Sequence, residues 1–553
     1  MRRNQTVGAA SIPASAVPAV WMGRPLFMRV TIASRRSELA RIQALQVGEA
    51  LRAVHPQLEI NYSFRESLGD KNLERPLWQM PEKGVFTQDF REGLLRGEFD
   101  LVVHSWKDLT IENDPETEIA ATLPRADARD LLLVRNDRWA EVERTGVIAI
   151  LTSSPRRAYN LDSFLREALP AKLRELNFVN VRGNVPTRVR KLFQLDVDGL
   201  VVAKAALDRL LEANQAEFAA TQTELRDALS RCRFIVLPFR ANPSAPAQGA
   251  LAIEISRRRE DLRDLLAPIN CPETLAVVAR EREILANHGG GCHQKIGVSV
   301  LHRPFGEVTF LRGVSDAGQV LDGCSLQTAR PRPLKIPREQ LWPLNSSEVD
   351  WFQREAIPAK VPDDQAALWI AKADALPNDW IVDQSRIVWA SGLETWKRLA
   401  RRGIWVNGCA ESLGEQEEPK IETLIGSQLN WLKLTHEHGY AEGSMPILAT
   451  YRLVPKDNRA DLEGKKYFFW KSGSSFEHAL TLNPSLKEMT HFCGPGNTQR
   501  ILERNGVEPN VFLDHTQWLA EMSEQQVPRV RTASGSDRII CHFPFGIFHL
   551  LIV

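Results

Sequence analysis

Between Met28 and about Arg240, short apolar runs alternate with amphipathic stretches, and that alternation restricts the fold more than any other feature. Phe99-Asp100-Leu101-Val102-Val103-His104, Val147-Ile148-Ala149-Ile150-Leu151 and Gly199-Leu200-Val201-Val202-Ala203 read as buried strands, with Met28-Arg29-Val30-Thr31-Ile32 as the opening one. Helical patterns cover 37–54, 87–95, 155–169, 187–194 and 205–213. A strand–helix alternation of this kind predicts three-layer α/β domains with helices on the sheet faces. In such sheets ligands lie at the loops beyond the carboxyl ends of the strands, so the chemistry is to be sought there.

At 553 residues the chain exceeds one core, and several domains are expected. A net charge of +1 gives no overall field for nucleic acid or a membrane surface, so anion binding has to come from local arginine clusters. Seven scattered cysteines, with no CxxC pair and no metal-finger spacing, point to a reducing, cytoplasmic setting without a disulfide framework or a metal site. No apolar run is long enough to span a membrane. Residues 1–27 are rich in Ala, Ser and Pro and have no acid. They are expected to be a transit peptide, or a stretch ahead of a start at Met28, and are left out of the fold.

A Pro/Ala-rich break spans 241–247, a helix is expected over Pro272 to Ala286, and Thr328 to Glu339 reads as an interdomain linker. Beyond the linker, Arg386-Ile-Val-Trp389-Ala-Ser391-Gly392 and Tyr467-Phe-Phe-Trp470-Lys-Ser472-Gly473 repeat one order of strand, turn and helix. Two related α/β halves explain that repeat. The apolar stretch Phe543 to Val553 is short, as in a buried strand or a frayed tail.

Five basic turns stand at predicted strand ends. Val103-His104-Ser105-Trp106-Lys107-Asp108 places a carboxylate where it could bond a substrate N–H, stabilise a cation, or donate a proton if buried. Arg35-Arg36-Ser37 opens a helix, where anions are favoured. Thr152-Ser153-Ser154-Pro155-Arg156-Arg157 combines hydroxyls, free N–H groups and two guanidiniums, with proline at a first helical position. Arg182-Gly183-Asn184-Val185-Pro186-Thr187-Arg188 repeats the theme, and Arg209 follows the third strand. Guanidinium binds carboxylates bidentately, so such a row points to a polycarboxylate ligand. Asn287-His288-Gly289-Gly290-Gly291-Cys292 presents a thiol on three glycines, which let a large group approach the backbone.

In order, these strings resemble hydroxymethylbilane synthase (porphobilinogen deaminase) over residues 28–326. The resemblance includes Lys83-Gly84-Val85-Phe86, Gln248-Gly249-Ala250 and Glu281-Arg282. It implies two periplasmic-binding-protein-like (type II) α/β domains, 28–128 plus 243–267 and 129–242, and a small α+β domain, 268–327. It also implies a dipyrromethane cofactor held on Cys292 by a thioether, and condensation of four porphobilinogen molecules to hydroxymethylbilane with loss of ammonia. Asp108 falls on the catalytic acid, with Lys107 beside it. Lys83, Ser105, Ser153, Arg156, Arg157, Arg182, Gly183 and Arg188 fall on cofactor-binding positions, and Arg35, Ser37, Ser154 and Arg209 on substrate-binding ones. Departures from the family pattern include Pro81-Glu82 before Lys83, Thr110, Ala205-Ala206-Leu207 and His293-Gln294-Lys295.

After a linker at 328–340, residues 341–553 resemble uroporphyrinogen-III synthase, a two-lobed α/β enzyme that closes hydroxymethylbilane with inversion of the last ring. The likeness rests on Ile447 to Arg452, Trp470 to Ser474 and Cys493 to Thr498, and it implies Tyr451, Ser472 and Thr498 as substrate contacts. Porphobilinogen is the expected partner, with no nucleic acid and no membrane, and the chain is expected to be monomeric. Two other readings of the residues are an anion receptor without chemistry and a transferase with Cys292 as nucleophile; His288 and His293 are the bases nearest that thiol in sequence.

Overall fold

The structure is a computed structural model. It describes residues 29–66, 88–112, 114–289, 295–328, 336–345, 351–360, 366–439, 445–456 and 462–523. The leader, Lys83, Cys292 and the apolar C-terminal stretch lie outside the described residues.

Two five-stranded sheets in the first half have the same order. In one, Glu59–Arg65, Arg29–Arg35 and Leu101–Ser105 run parallel, followed by Leu251–Ser256, antiparallel to both neighbours, and Thr117–Ala121. In the other, Glu175–Val179, Val147–Leu151 and Gly199–Ala203 run parallel, followed by antiparallel Asp130–Arg135 and then Cys232–Leu237. The chain therefore crosses between the lobes twice, at 122–129 and 238–250. The central strand Gly199–Ala203 is buried throughout, so it reads as an unbroken apolar run without alternation. The strand expected from Phe99 begins at Leu101. Asp100 instead accepts the N–H of Thr31 and pairs with Arg259, at 2.8 and 2.7 Å.

A third unit joins the helix Pro272–Ala286 to an antiparallel sheet of Gly297–Arg303, Gly306–Val314 and Val320–Gln327. Glu281, on that helix, is fully buried and ties the units together. It takes both guanidinium ends of Arg125 at 2.8 and 2.9 Å, and the N–H groups of Ala247 and Val300.

The second half forms two more parallel-type sheets. One orders Phe352–Ala356, Ile447–Pro455, Asn430–His436, Ala366–Ile370, Val388–Ala390 and Gly408–Cys409, and only its first strand is antiparallel. The other orders Leu341–Trp342, Tyr467–Trp470, Thr490–Cys493 and Asn510–Val511, all parallel. Each copy of the repeat read in the sequence is a strand leading into a helix: Val388–Ala390 into Leu393–Ala400, and Tyr467–Trp470 into Gly473–Leu482.

The six-stranded lobe docks on the second five-stranded lobe through a continuous apolar core. Trp405 stands edge-on to Trp139 at 5.0 Å, and Trp396 to Phe164 at 5.4 Å. Three polar side chains in the seam are paired: Trp396 donates to Ala168 O, and Trp405 and Asn407 both donate to Phe234 O.

Candidate active site

Asp108 closes the short turn Trp106–Asp108 that follows the buried strand Leu101–Ser105. Trp106 is buried beneath the turn, which leaves Asp108 exposed at the mouth of a cavity of about 80 Å³. Arg35, Ser37, Gln43, His104 and Ser105 line that cavity with it. The resemblance left Gln43 without a role, yet its amide and the Ser105 hydroxyl exchange hydrogen bonds at 2.9 and 3.0 Å. An exposed carboxylate here suits stabilisation of a cation; the burial on which a proton-donor role was premised is missing.

Lys107 turns the other way, toward the second lobe, and donates to Gln248 Oε1 at 3.1 Å. The Gln248 amide passes the connection on to Asp130 Oδ1 at 2.8 Å and to Ala128 O at 2.7 Å. Burial lowers the Lys107 pKa to about 8, and Arg157 and Arg156 push the same way against Asp108 and Asp130.

Asp130 is the centre of the second lobe's site. Its fully buried carboxylate takes Arg157 through both oxygens at 2.6 and 3.0 Å, and Arg156 at 2.8 Å. Asn242 Nδ2 adds a bond at 2.9 Å. Burial alone would raise its pKa, but the two guanidiniums outweigh that and hold the carboxyl well below its usual range. Arg156 also donates to Asn242 Oδ1 and Pro243 O, and Arg157 to Val201 O. Both arginines are thus engaged by the protein itself, behind the cleft. Their place follows from the turn before them: Ser154 caps the helix Pro155–Ala168 with Pro155 at its start, and Ser153 is half-buried just ahead.

Gly183 has φ of 116°, a conformation open to glycine, and a Cβ there would meet Thr187 Cγ2 at 2.6 Å. Asn184 caps the helix Val185–Gln194 through the Thr187 N–H, and Arg188 bonds back to Gly183 O at 2.8 Å. Burial lowers the Arg188 pKa to about 10, and the neighbouring guanidiniums of Arg157 and Arg182 add to the shift, opposed by Asp108. Arg209 is buried and donates to Gly249 O at 2.8 Å; burial lowers it to about 10 against Asp208 and Glu212.

Lys107, Arg182 and Arg188 therefore crowd one cleft in front of the buried Arg157, with Asp108 and the Asp130 carboxylate opposing them. Cations crowded in this way gain most from an added anion. That donor set fits a group carrying several carboxylates, as dipyrromethane does. Among the described residues, no group of three or more His, Cys, Asp or Glu could hold a metal. Among them, too, no helix is long and apolar enough to cross a membrane.

In the second half, Tyr451 is buried, with its ring 5.9 Å from His436 and the Arg354 guanidinium 5.9 Å from its face. Ser472 caps the helix Gly473–Leu482, and half-buried Thr498 lies in the first turn of Asn497–Arg504. Tyr451 belongs to the six-stranded lobe, while Ser472 and Thr498 stand at strand–helix turns of the four-stranded one. Cys493 is fully buried, and burial pushes its thiol pKa far up.

Asp130, Asn242, Gln43 and Glu281 had no assigned role in the sequence reading. A lone acid opening the apolar strand Asp130-Leu-Leu-Leu-Val was the available signal for the first.

A profile of the family described as porphobilinogen deaminase, dipyromethane cofactor binding domain, matches residues 30–264. The porphobilinogen deaminase of Acidothermus cellulolyticus is 34% identical over 334 residues, covering 56% of this chain and 92% of that protein. That of Natranaerobius thermophilus is 33% identical over 315 residues, again 56% and 92%. That of Bordetella bronchiseptica is 34% identical over 319 residues, 58% of this chain and 91% of that protein.

Proposed function

The chain belongs to the porphobilinogen deaminase family, with its dipyrromethane cofactor domain, and from that premise we propose that it performs the whole family reaction. Four porphobilinogen molecules condense in turn, each losing ammonia, and one water then cleaves the tetrapyrrole from its primer to give linear hydroxymethylbilane for tetrapyrrole synthesis. The observation that carries this reading is the cluster of Lys107, Arg182 and Arg188, backed by Arg157 and accompanied by Asp108, across two lobes.

Held through Cys292, a dipyrromethane would supply a nucleophilic pyrrole carbon for the first condensation. Arg35, Arg182, Arg188 and Lys107 hold acetate and propionate groups at the cleft surface. Arg156, Arg157 and Arg209, fixed to protein acceptors, add positive potential from behind and hold the turns in place. Asp108 contacts pyrrole N–H groups and stabilises the cation left when ammonia departs from the incoming porphobilinogen. Ser37, Ser105, Ser153 and Ser154 orient carboxylates through their hydroxyls, and Lys83 joins them from the segment before the helix Gln88–Leu95.

The second half is proposed to close that product to uroporphyrinogen III. Its two α/β lobes with repeated strand–turn–helix entries support this, with hydroxyls and N–H groups at Ser472 and Thr498 receiving carboxylates and Tyr451 on the facing lobe. Incubating the purified chain with porphobilinogen and identifying the cyclic product tests both parts. Uroporphyrinogen III is expected. The symmetric isomer alone would remove the second activity, and no tetrapyrrole at all would remove the first.

A further inference from the structure

The segment Asn407 to Pro419 of the second half lies along the crossovers of the first. Asn407 O accepts the Val236 N–H at 2.7 Å, and Pro419 O accepts from Arg129 at 2.8 Å. Leu413 packs in one cluster with Ala128 and Phe239, and Glu417 pairs with Arg303 of the third unit. Between these contacts stands Glu411. Its two oxygens accept the main-chain N–H groups of Phe239 and Arg240 at 2.7 and 2.8 Å. Glu411 and Ser412 both have positive φ, 52° and 62°. Two consecutive non-glycine residues in that region store strain, of order 1–3 kcal/mol each, that the surrounding contacts must overcome. Burial pushes the Glu411 carboxyl up to about 7 against the two N–H groups and Arg129. A strained, desolvated acid is thus aimed at two amides of a chain crossing.

Those amides open a turn that ends in the active site. Ala241 N and Asn242 N both bond to Pro238 O, at 3.2 and 2.8 Å. Asn242 then holds Asp130 through Nδ2 and Arg156 through Oδ1, and Pro243 O accepts from the same Arg156 Nη1. Asp130 in turn sets Arg157 and, through Gln248, Lys107.

We propose that Glu411, supplied by the second half, is a positioning residue for the deaminase site: it fixes the Pro238–Asn242 turn through which Asp130, Arg157 and Lys107 are placed. The inference rests on the deaminase reading and goes beyond it, because it makes turnover in the first half depend on a side chain of the second.

The test compares Glu411→Gln with Asn407→Ala in the full chain. Both remove seam hydrogen bonds, but Asn407 bonds to Phe234 and Val388, outside the turn. A charge-assisted bond of about 1.5 kcal/mol or more corresponds to roughly tenfold. Glu411→Gln is expected to lower kcat for porphobilinogen consumption about tenfold, with KM within about twofold and cofactor loading by intact mass unchanged. Asn407→Ala should lower stability yet leave kcat within about twofold. Parental kcat in Glu411→Gln, or an equal fall in Asn407→Ala, would overturn the proposal. Should Glu411→Gln not fold, amide exchange in the parent decides. Protection of Phe239 and Arg240 at the level of the adjoining strand supports the proposal, and exchange at loop rates overturns it. A parent without activity would instead refute the deaminase reading.

Discussion

In the first half the buried centre of each lobe is a charge. Asp130 is locked between two arginines, and Glu254, 1% exposed, accepts from His104, Thr117 and Arg91. In the second half the corresponding interior is aromatic. Trp342, Trp369, Trp389, Trp396, Trp470 and Trp518 are all nearly or fully buried, and the Lys433–Glu415 pair is an exception. The difference has a functional reading. A lobe that must present positive charge to an acidic chain keeps its acids inside, bonded to the arginines that stand behind the cleft. A lobe whose proposed contacts are hydroxyls and main-chain N–H groups has no need of buried counter-charges and can fill its core with rings.

Removing the central group from each half should sharpen the contrast most. Asp130→Asn leaves Arg156 and Arg157 partly uncompensated and should cost about 3–5 kcal/mol in the first half, read from the denaturant midpoint. Trp470→Ala should cost a similar 3–5 kcal/mol by opening a cavity among Trp342, Phe468 and Phe476, but only in the four-stranded lobe. Porphobilinogen consumption should stay within about twofold in that variant. Equal loss of turnover in both would break the comparison.

Asp108→Ala should separate chemistry from packing. A fall of roughly 10²–10³ in turnover is expected, as for loss of a group aimed at developing charge, with unaltered melting of both halves. Lys107→Gln should lower kcat about tenfold, the value of one charge-assisted hydrogen bond to the tethered chain, with KM for porphobilinogen within about twofold.

Acid should soften the halves in sequence. His436 is held down to about 4 by burial, helped by Lys372 and Lys433. A depressed histidine contributes stability above its unfolded pKa of about 6.5, and that contribution is lost as pH falls toward 4. For Glu254, burial is outweighed by hydrogen bonds from His104 and Thr117, and its pKa lies near 2. Its contribution is therefore lost only between about 4.3 and 2. Tryptophan fluorescence, dominated by the second half, should change before porphobilinogen turnover loses its structural basis. The reverse order would contradict this assignment.

Much of the architecture was legible because its signals are local. The strands Val147–Leu151 and Gly199–Ala203 and the helix Pro272–Ala286 begin and end where apolar runs and prolines place them. The turns carrying Arg35, Lys107, Asp108, Arg157 and Arg188 were visible as basic strings at strand ends. What escaped is what only tertiary contact creates. Gln248 bridges Lys107 and Asp130 from 141 and 118 residues away, and Glu411 reaches Phe239 across 172. An uncharged amide and an acid in a loop carry no local pattern that announces such bonds. Likewise Arg156 and Arg209 read as ligand contacts because sequence shows a guanidinium but not the acceptors already in front of it.

The intact mass of the full chain, purified without added substrate, tests the central claim most directly. Two linked pyrrole units of extra mass, lost in Cys292→Ser, are the predicted result. A bare Cys292 in protein that converts porphobilinogen at full rate would contradict it.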